Sequence, residues 1–332
     1  EVVLLFMPCL EGAMTVVFGR YNFSCVFKDD ATLPEYKGST FRGVLGHALK
    51  KVVCALKRQL CEECLLRQTC VYAFVFEGVH HGSGPYPEKK RIAAPPNPYV
   101  IEPPLETKTA YKAGEPFEFT LLLFGKANEY LPYFIYAIEQ IGRTGIGRRT
   151  KGKAAGFTLR TVCSSGRELY SFTTRQMSSF QDLQTNLPDD LIGEYQGQAG
   201  MCTVKITLNT PLRLKYRSRL EPDLPFHVLI RAGLRRLSSL LTYHGSGEPQ
   251  LDYKGLVHRA MDVQVMESSI RWFDWRRYSN RQEQAMFMGG MVGEVTYADV
   301  PSEYLPILSF CQEVHLGKQT TFGLGKITVE LS

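Results

Sequence analysis

No run of 18 apolar residues occurs in this 332-residue chain, so no segment reads as a membrane-spanning helix. The apolar stretch at residues 2–7 is short and lacks a basic flank, which makes it a strand and not a secretion signal. Glu1 stands first where a start Met would be, so the chain reads as one that has lost its start or as a piece of a longer product. Neither sign of charge dominates: 39 Lys and Arg stand against 33 Asp and Glu, a net +6. That excess favours a polyanionic partner only weakly, and where the cations sit matters more than their number. The nine cysteines are odd in number and clustered, which fits a reducing cytoplasm better than a disulfide framework. The Gly-Lys-Ser/Thr ending of a Walker loop is absent. So is the aromatic signature of an RNA-recognition platform.

What is present begins with enough apolar residues, 44%, for a sizeable core, at a length that suits two domains. A duplication then organises the chain. Glu129-Tyr130-Leu131-Pro132 opens an apolar helical pattern, followed by a glycine-rich stretch and a strand at residues 156–159. Glu303-Tyr304-Leu305-Pro306 opens the same series, which ends in a strand at 327–330. The front ends match as well. Residues 41–52 align without a gap on 226–237, each with apolar residues at helical spacing and a closing basic pair, Lys50-Lys51 and Arg235-Arg236. Strands rich in β-branched and aromatic residues precede both helices, at 15–27 and 204–214, and others lie between the helices, at 117–124 and 290–297. Each unit thus reads as βαββαβ, and the chain as an α+β protein of tandem ferredoxin-like (RRM-like) domains with Gly-rich loops. The N-terminal domain takes 1–165, a polar linker 166–202 and the C-terminal domain 203–332. Residues 82–116 carry eight of the 18 prolines and read as an insertion without regular structure.

Three stretches carry chemistry. Residues 142–156 hold Arg143, Arg148, Arg149, Lys151 and Lys153 among glycines, with no acid. Glycines let backbone approach a ligand, and the cations would contact successive phosphates; the alternative is a solvated flexible loop. Residues 271–281 interleave Arg271, Arg276 and Arg277 with aromatics, as a half-buried strand whose arginines face RNA would. Cys54, Cys61, Cys64 and Cys70 fall within 17 residues as C-x6-C-x2-C-x5-C. Four thiolates complete a tetrahedral shell, so a structural zinc is expected there, with an iron–sulfur cluster as the alternative. His80 and His81 could replace a cysteine as ligand, although their place at the start of the proline-rich stretch suits exposed residues better. Cys9, Cys25, Cys163, Cys202 and Cys311 read as core residues.

Phe41-Arg42-Gly43 with Gly46-His47, the cysteine stretch running into Val71-Tyr72 and Phe76-Glu77, residues 130–134 and the C-terminal loop 317–325 together resemble the RAMP superfamily of CRISPR-associated proteins. The narrower resemblance is to the Cas endoribonucleases that process precursor CRISPR RNA, and it extends over nearly the whole chain. It implies cleavage within a repeat by the RNA's own 2′-hydroxyl, leaving a 2′,3′-cyclic phosphate and a 5′-hydroxyl, with no metal in catalysis. It also implies a histidine on or near the first helix. Of seven histidines, His47 is the one on the matched helix, and Ala232 occupies the same place in the second copy, so the helix itself does not need imidazole there. Lys50 and Lys51 are expected to stabilise phosphate, and Tyr36 to orient the 2′-hydroxyl. Arg42, Lys318 and Lys326 complete the expected RNA-binding set. The implied partners are CRISPR repeat RNA and other Cas proteins, and no membrane. The competing readings are a RAMP subunit that binds crRNA without cutting it, and the processing domain of a larger fusion.

Overall fold

The computed structural model describes residues 15–57, 59–79, 95–150, 152–188, 200–214, 223–279 and 284–332, of which 275–279 and 284–288 by backbone alone. The chain divides into two compact units, Val17–Thr185 and a second that runs from Asn186 to Ser332 and takes in Thr15 and Val16.

In the first unit, β1 (Val16–Phe27) alternates, sending Tyr21, Phe23, Cys25 and Phe27 into the core. The short β2 (Ala31–Thr32) leads to α1 (Gly38–Val53), whose Phe41, Leu45, Ala48 and Leu49 are buried. A single-turn 3-10 helix and the short α2 (Val71–Phe76) follow. Then come β3 (Tyr99–Glu102), β4 (Ala110–Tyr111), which pairs with β2, and β5 (Pro116–Phe124). A 3-10 turn feeds α3 (Leu131–Thr144), with Pro132 in its first turn, where a missing N–H leaves no hydrogen bond unmade. β6 (Ile146–Thr150), β7 (Lys153–Ala155), β8 (Phe157–Ser164) and β9 (Arg167–Ser171) close the unit. The antiparallel sheet runs β3-β5-β1-β8-β9, the ferredoxin-like order with one added edge strand. Phe23 and Phe119, paired across β1 and β5, stack at 4.9 Å. At the start of α3, buried Asn128 accepts from the Tyr21 hydroxyl at 2.9 Å and donates to Gly125 O at 2.9 Å.

The proline-rich stretch differs from expectation. Residues 80–94 lie outside the described residues, but β3 sits inside it as a fully buried strand of the sheet. Prolines flank this strand at Pro98 and Pro103 and none lies within it, so the paired backbone loses no donor.

The second unit repeats the plan with β11 (Met201–Leu212), after the three-residue β10 (Thr185–Leu187), then α4 (Phe226–His244) and α5 (Tyr253–Arg259). β12 (Gln264–Ser268), β13 (Arg271–Ser279), β14 (Gln284–Pro301), α6 (Leu305–Val314) and β15 (Ile327–Leu331) follow. Its sheet runs β12-β14-β11-β15, the same order, with β13 also paired to the long β14. The matched basic pairs do not play matched parts. α4 continues past Arg235-Arg236 to His244, and Arg236 is buried, donating from Nε and Nη2 to Val314 O at 3.3 and 2.8 Å. Burial pulls that guanidinium down to about 10.

Candidate active site and nucleic-acid interface

α1 carries the first group of candidates. Its inner stripe packs against Ile101, Phe119, Leu121, Ile138, Ile141, Ile146 and Phe157 through Phe41, Val44 and Leu45. That phase turns Gly43, His47 and Lys51, four residues apart, to the solvent, and all three are exposed. Among the described residues, a methyl group built on Gly43 would meet no atom within 4 Å, so open space lies beside that helix position.

The other flank of α1 is occupied. Gly46 lets the Phe76 ring of α2 approach to 3.1 Å of where a Cβ would stand. The Arg42 guanidinium lies over that ring at 5.5 Å, the Lys50 ammonium over the Tyr72 ring at 5.2 Å, and the two rings stack on each other at 5.3 Å. Residues 42, 46 and 50 thus interdigitate with 72 and 76. A hydrogen bond to the Cys61 thiol, the largest influence, raises the Lys50 pKa. Of the two lysines expected to serve chemistry, Lys51 is exposed, and Lys50 is engaged between the helices.

Tyr36 precedes the helix and is half-buried, and burial of its hydroxyl drives the phenol well above its ordinary value. It can donate a hydrogen bond but is a poor base. Beside it, Lys37 is completely buried, and its ammonium donates to Glu35 O at 3.2 Å and to Glu106 O. Desolvation lowers its pKa. This lysine ties the entry of α1 to the segment between β3 and β4, a role that nothing in its sequence context signals.

The basic glycine-rich stretch is a two-stranded hairpin, β6 paired with β7, and not a loop. Gly145 and Gly147 have φ of +89° each. A Cβ there would stand 2.4 Å from Ala154 O and Thr32 O respectively, so both positions require glycine. Arg143, in the last turn of α3, and Arg148, Arg149 and Lys153 of the hairpin are exposed; Lys151 lies outside the described residues.

In the second unit the glycine-rich segment after α6 is folded tightly onto the end of β11. Gly317, Gly323 and Gly325 have positive φ, and the Thr210 hydroxyl donates to Gly323 O at 2.9 Å and accepts from Lys326 N at 2.9 Å. Buried His315, itself at φ +60°, holds Nδ1 3.0 Å from Leu324 O. Lys318 is exposed, and Lys326 is half-buried. Arg271 is exposed on β13, but so are Phe273 and Asp274, and clean alternation is missing there. Arg276 and Arg277 take their places in that strand opposite Phe287 and Met286, with their side chains outside the described residues.

The expected zinc or iron–sulfur site finds no support. Among the described residues no group of three or more His, Cys, Asp or Glu is placed to hold a metal ion. Cys54 ends α1, Cys61 and Cys64 lie in the turns that follow, and Cys70 caps α2, all four as half-buried free thiols. Cys61 serves Lys50 instead. Cys25 and Cys311 are buried, Cys163 and Cys202 only half so, and Cys9, His80 and His81 lie outside the described residues.

Comparison with known proteins sets these features in a family. Residues 14–181 match the model of the AF_1859 N-terminal domain, and residues 206–327 match CRISPR-associated endoribonuclease Cas6. An uncharacterized protein of Archaeoglobus fulgidus is 24% identical over 295 residues, 88% of this chain and 91% of the relative. A solved partial Cas6-RT-Cas1–Cas2 complex contains a chain similar at TM-score 0.57 and 14% identity. That match covers 96% of this chain and 47% of the other, so this chain spans about half the length of that relative. Thermus thermophilus Cas6 is similar at TM-score 0.52 and 13% identity, over 96% of this chain and all of its own. These likenesses bear out the tandem ferredoxin-like α+β fold, and among the described residues no helix is long and apolar enough to cross a membrane. The chain belongs to the family of the AF_1859 N-terminal domain, and its residues 206–327 are similar to the CRISPR-associated endoribonuclease Cas6 domain.

Proposed function

We propose that this chain cuts CRISPR repeat RNA in precursor crRNA by attack of the 2′-hydroxyl on the adjacent phosphorus, in a step that needs no metal. The observation that carries the reading is the exposed His47 on α1, beside open space over Gly43 and one turn from exposed Lys51, where the duplicated helix has Ala232. His47 as a neutral imidazole takes the 2′-hydroxyl proton, the 2′-oxygen bonds to phosphorus, and the bond from phosphorus to the 5′-oxygen breaks. The departing 5′-oxygen takes a proton from solvent water, and the imidazolium returns its proton to solvent, leaving a 5′-hydroxyl and a 2′,3′-cyclic phosphate. Lys51 stabilises charge on the phosphorane, with Lys50 set back in the α1–α2 zipper. Tyr36 contributes at most a donated hydrogen bond.

Arg143, Arg148, Arg149 and Lys153 give the RNA a cationic surface in the first unit, and Lys318 and Arg271 in the second. This division of labour follows the two compact units, Val17–Thr185 and the unit that runs from Asn186 to Ser332. The partners are repeat RNA and other Cas proteins, and the setting is cytoplasmic. The test is incubation with cognate repeat RNA in EDTA, with and without a 2′-deoxy substitution at the cut nucleotide. Cutting that survives EDTA and stops at the deoxy substitution is expected. Tight binding without cutting would instead identify a non-catalytic crRNA-binding subunit.

A further inference from the structure

Among the described residues one face of α3 is left uncovered, apart from an edge contact between the Tyr133 and Tyr130 rings at 6.3 Å. Its buried residues, among them Leu131, Phe134, Ile138 and Ile141, form the inner stripe. The opposite face carries Tyr133, 45% exposed, Tyr136, 49% exposed, and Arg143 in the last turn. These occupy helical positions i, i+3 and i+10, one stripe that rises about 15 Å at 1.5 Å per residue. Phenol rings normally bury most of their area, so two half-exposed tyrosines side by side on a regular helix are an uncovered apolar surface. The stripe runs directly into the hairpin, where Arg148, Arg149 and Lys153 are exposed. From residue 131 to 156 the one acid is Glu139, and it already accepts a hydrogen bond from the Tyr170 hydroxyl.

Aromatic faces in line with cations, with acid nearly absent, match the chemistry of single-stranded nucleic acid. Unpaired bases stack on rings while the backbone phosphates follow positive charge. A duplex offers no free base faces, and a protein partner would leave the row of cations without a counterpart. We infer that the exposed face of α3 is a stacking platform for an unpaired RNA segment, with Tyr133 and Tyr136 each holding a base and Arg143, Arg148, Arg149 and Lys153 following the phosphates. The inference rests on the RNA-processing reading, and it assigns the single-stranded part of the substrate to α3 and its hairpin.

The test measures binding of the full chain to an unstructured pyrimidine oligoribonucleotide that contains no repeat, by fluorescence anisotropy. Tyr133→Ala and Tyr136→Ala are each expected to weaken binding about tenfold, and the double variant about a hundredfold. The double Phe variant is expected to bind as wild type, because stacking needs the ring and not the hydroxyl. A blunt RNA duplex should bind all forms equally. Both sites are exposed, and an unchanged circular dichroism spectrum establishes that the variants are folded. Alanine variants that bind the oligonucleotide like wild type overturn the inference, as does a double Phe variant as weak as the double Ala. Cleavage of repeat RNA by wild type, assayed alongside, reports on the proposed function independently: its failure would sink that reading, not the platform measured here.

Discussion

Gly43 tests whether the space beside His47 serves a ligand. The position is interior to α1, solvent-exposed, and free of any atom within 4 Å of an added Cβ. Glycine in a helix interior costs about 0.8–1.0 kcal/mol relative to alanine. Nothing in the fold offsets that cost, so Gly43→Ala should stabilise the protein by nearly 1 kcal/mol. For a unit of this size that raises Tm by roughly 2–4 °C. Side chains four apart on a helix stand about 5–6 Å apart at Cβ, so a longer side chain at 43 reaches the ground over His47. Gly43→Gln should therefore keep most of the added stability and yet cut repeat RNA at least about tenfold more slowly, a barrier increase of about 1.4 kcal/mol. Thermal unfolding and single-turnover cleavage on the same preparations separate the two effects. A Gly43→Gln protein that is more stable and cuts as fast as wild type would refute the reasoning, because the glycine would then have no substrate to admit.

Three further outcomes follow from the packing. Gly325→Ala places a Cβ 1.8 Å from Leu316 O at a φ of +73°, which should cost about 2 kcal/mol or more in urea unfolding; an unchanged midpoint would contradict the described loop. Asn128→Ala removes the acceptor of the buried Tyr21 hydroxyl and the donor to Gly125 O, for an expected loss of about 3 kcal/mol, whereas a loss under about 1 kcal/mol would mean that the cluster is not closed as described. Burial pushes the Tyr21 and Tyr170 phenols up to about 12 from an ordinary 10. The unfolded chain therefore loses these protons first. Stability should be complete below pH 10 and fall as pH rises from 10 to 12, and denaturant midpoints that stay flat across that window would exclude the effect.

The parts of the fold that repeat were legible in the sequence, because duplication shows itself twice. Tyr130-Leu131-Pro132 and Tyr304-Leu305-Pro306 each mark a 3-10 turn running into a helix. Features set by long-range packing were not legible. Lys51 and Arg236 occupy matched positions, yet one is exposed and the other is buried under Val314 O, since helix phase against the neighbours decides burial. Charge and glycine content marked residues 142–156 as a ligand-binding stretch but could not show that Ile146 and Ala155 pair, which makes it a hairpin. Thiol spacing allowed a metal shell, but spacing says nothing of whether sulfurs converge, and Lys50 takes up Cys61. β3 was hidden by prolines that bracket it. Tyr133 and Tyr136 did leave a signal, aromatics on the polar phase of an amphipathic helix, which the count of apolar residues absorbed into the core pattern.

The central claim is that His47 moves the proton that starts cleavage. The measurement that tests it most directly compares single-turnover cutting of cognate repeat RNA by wild type and His47→Ala, with RNA affinity measured on the same samples. Affinity within a few-fold of wild type and a rate lower by about a hundredfold or more are expected, as loss of a general base entails. His47→Ala protein that binds and cuts like wild type would contradict it and move the proton transfer to another residue.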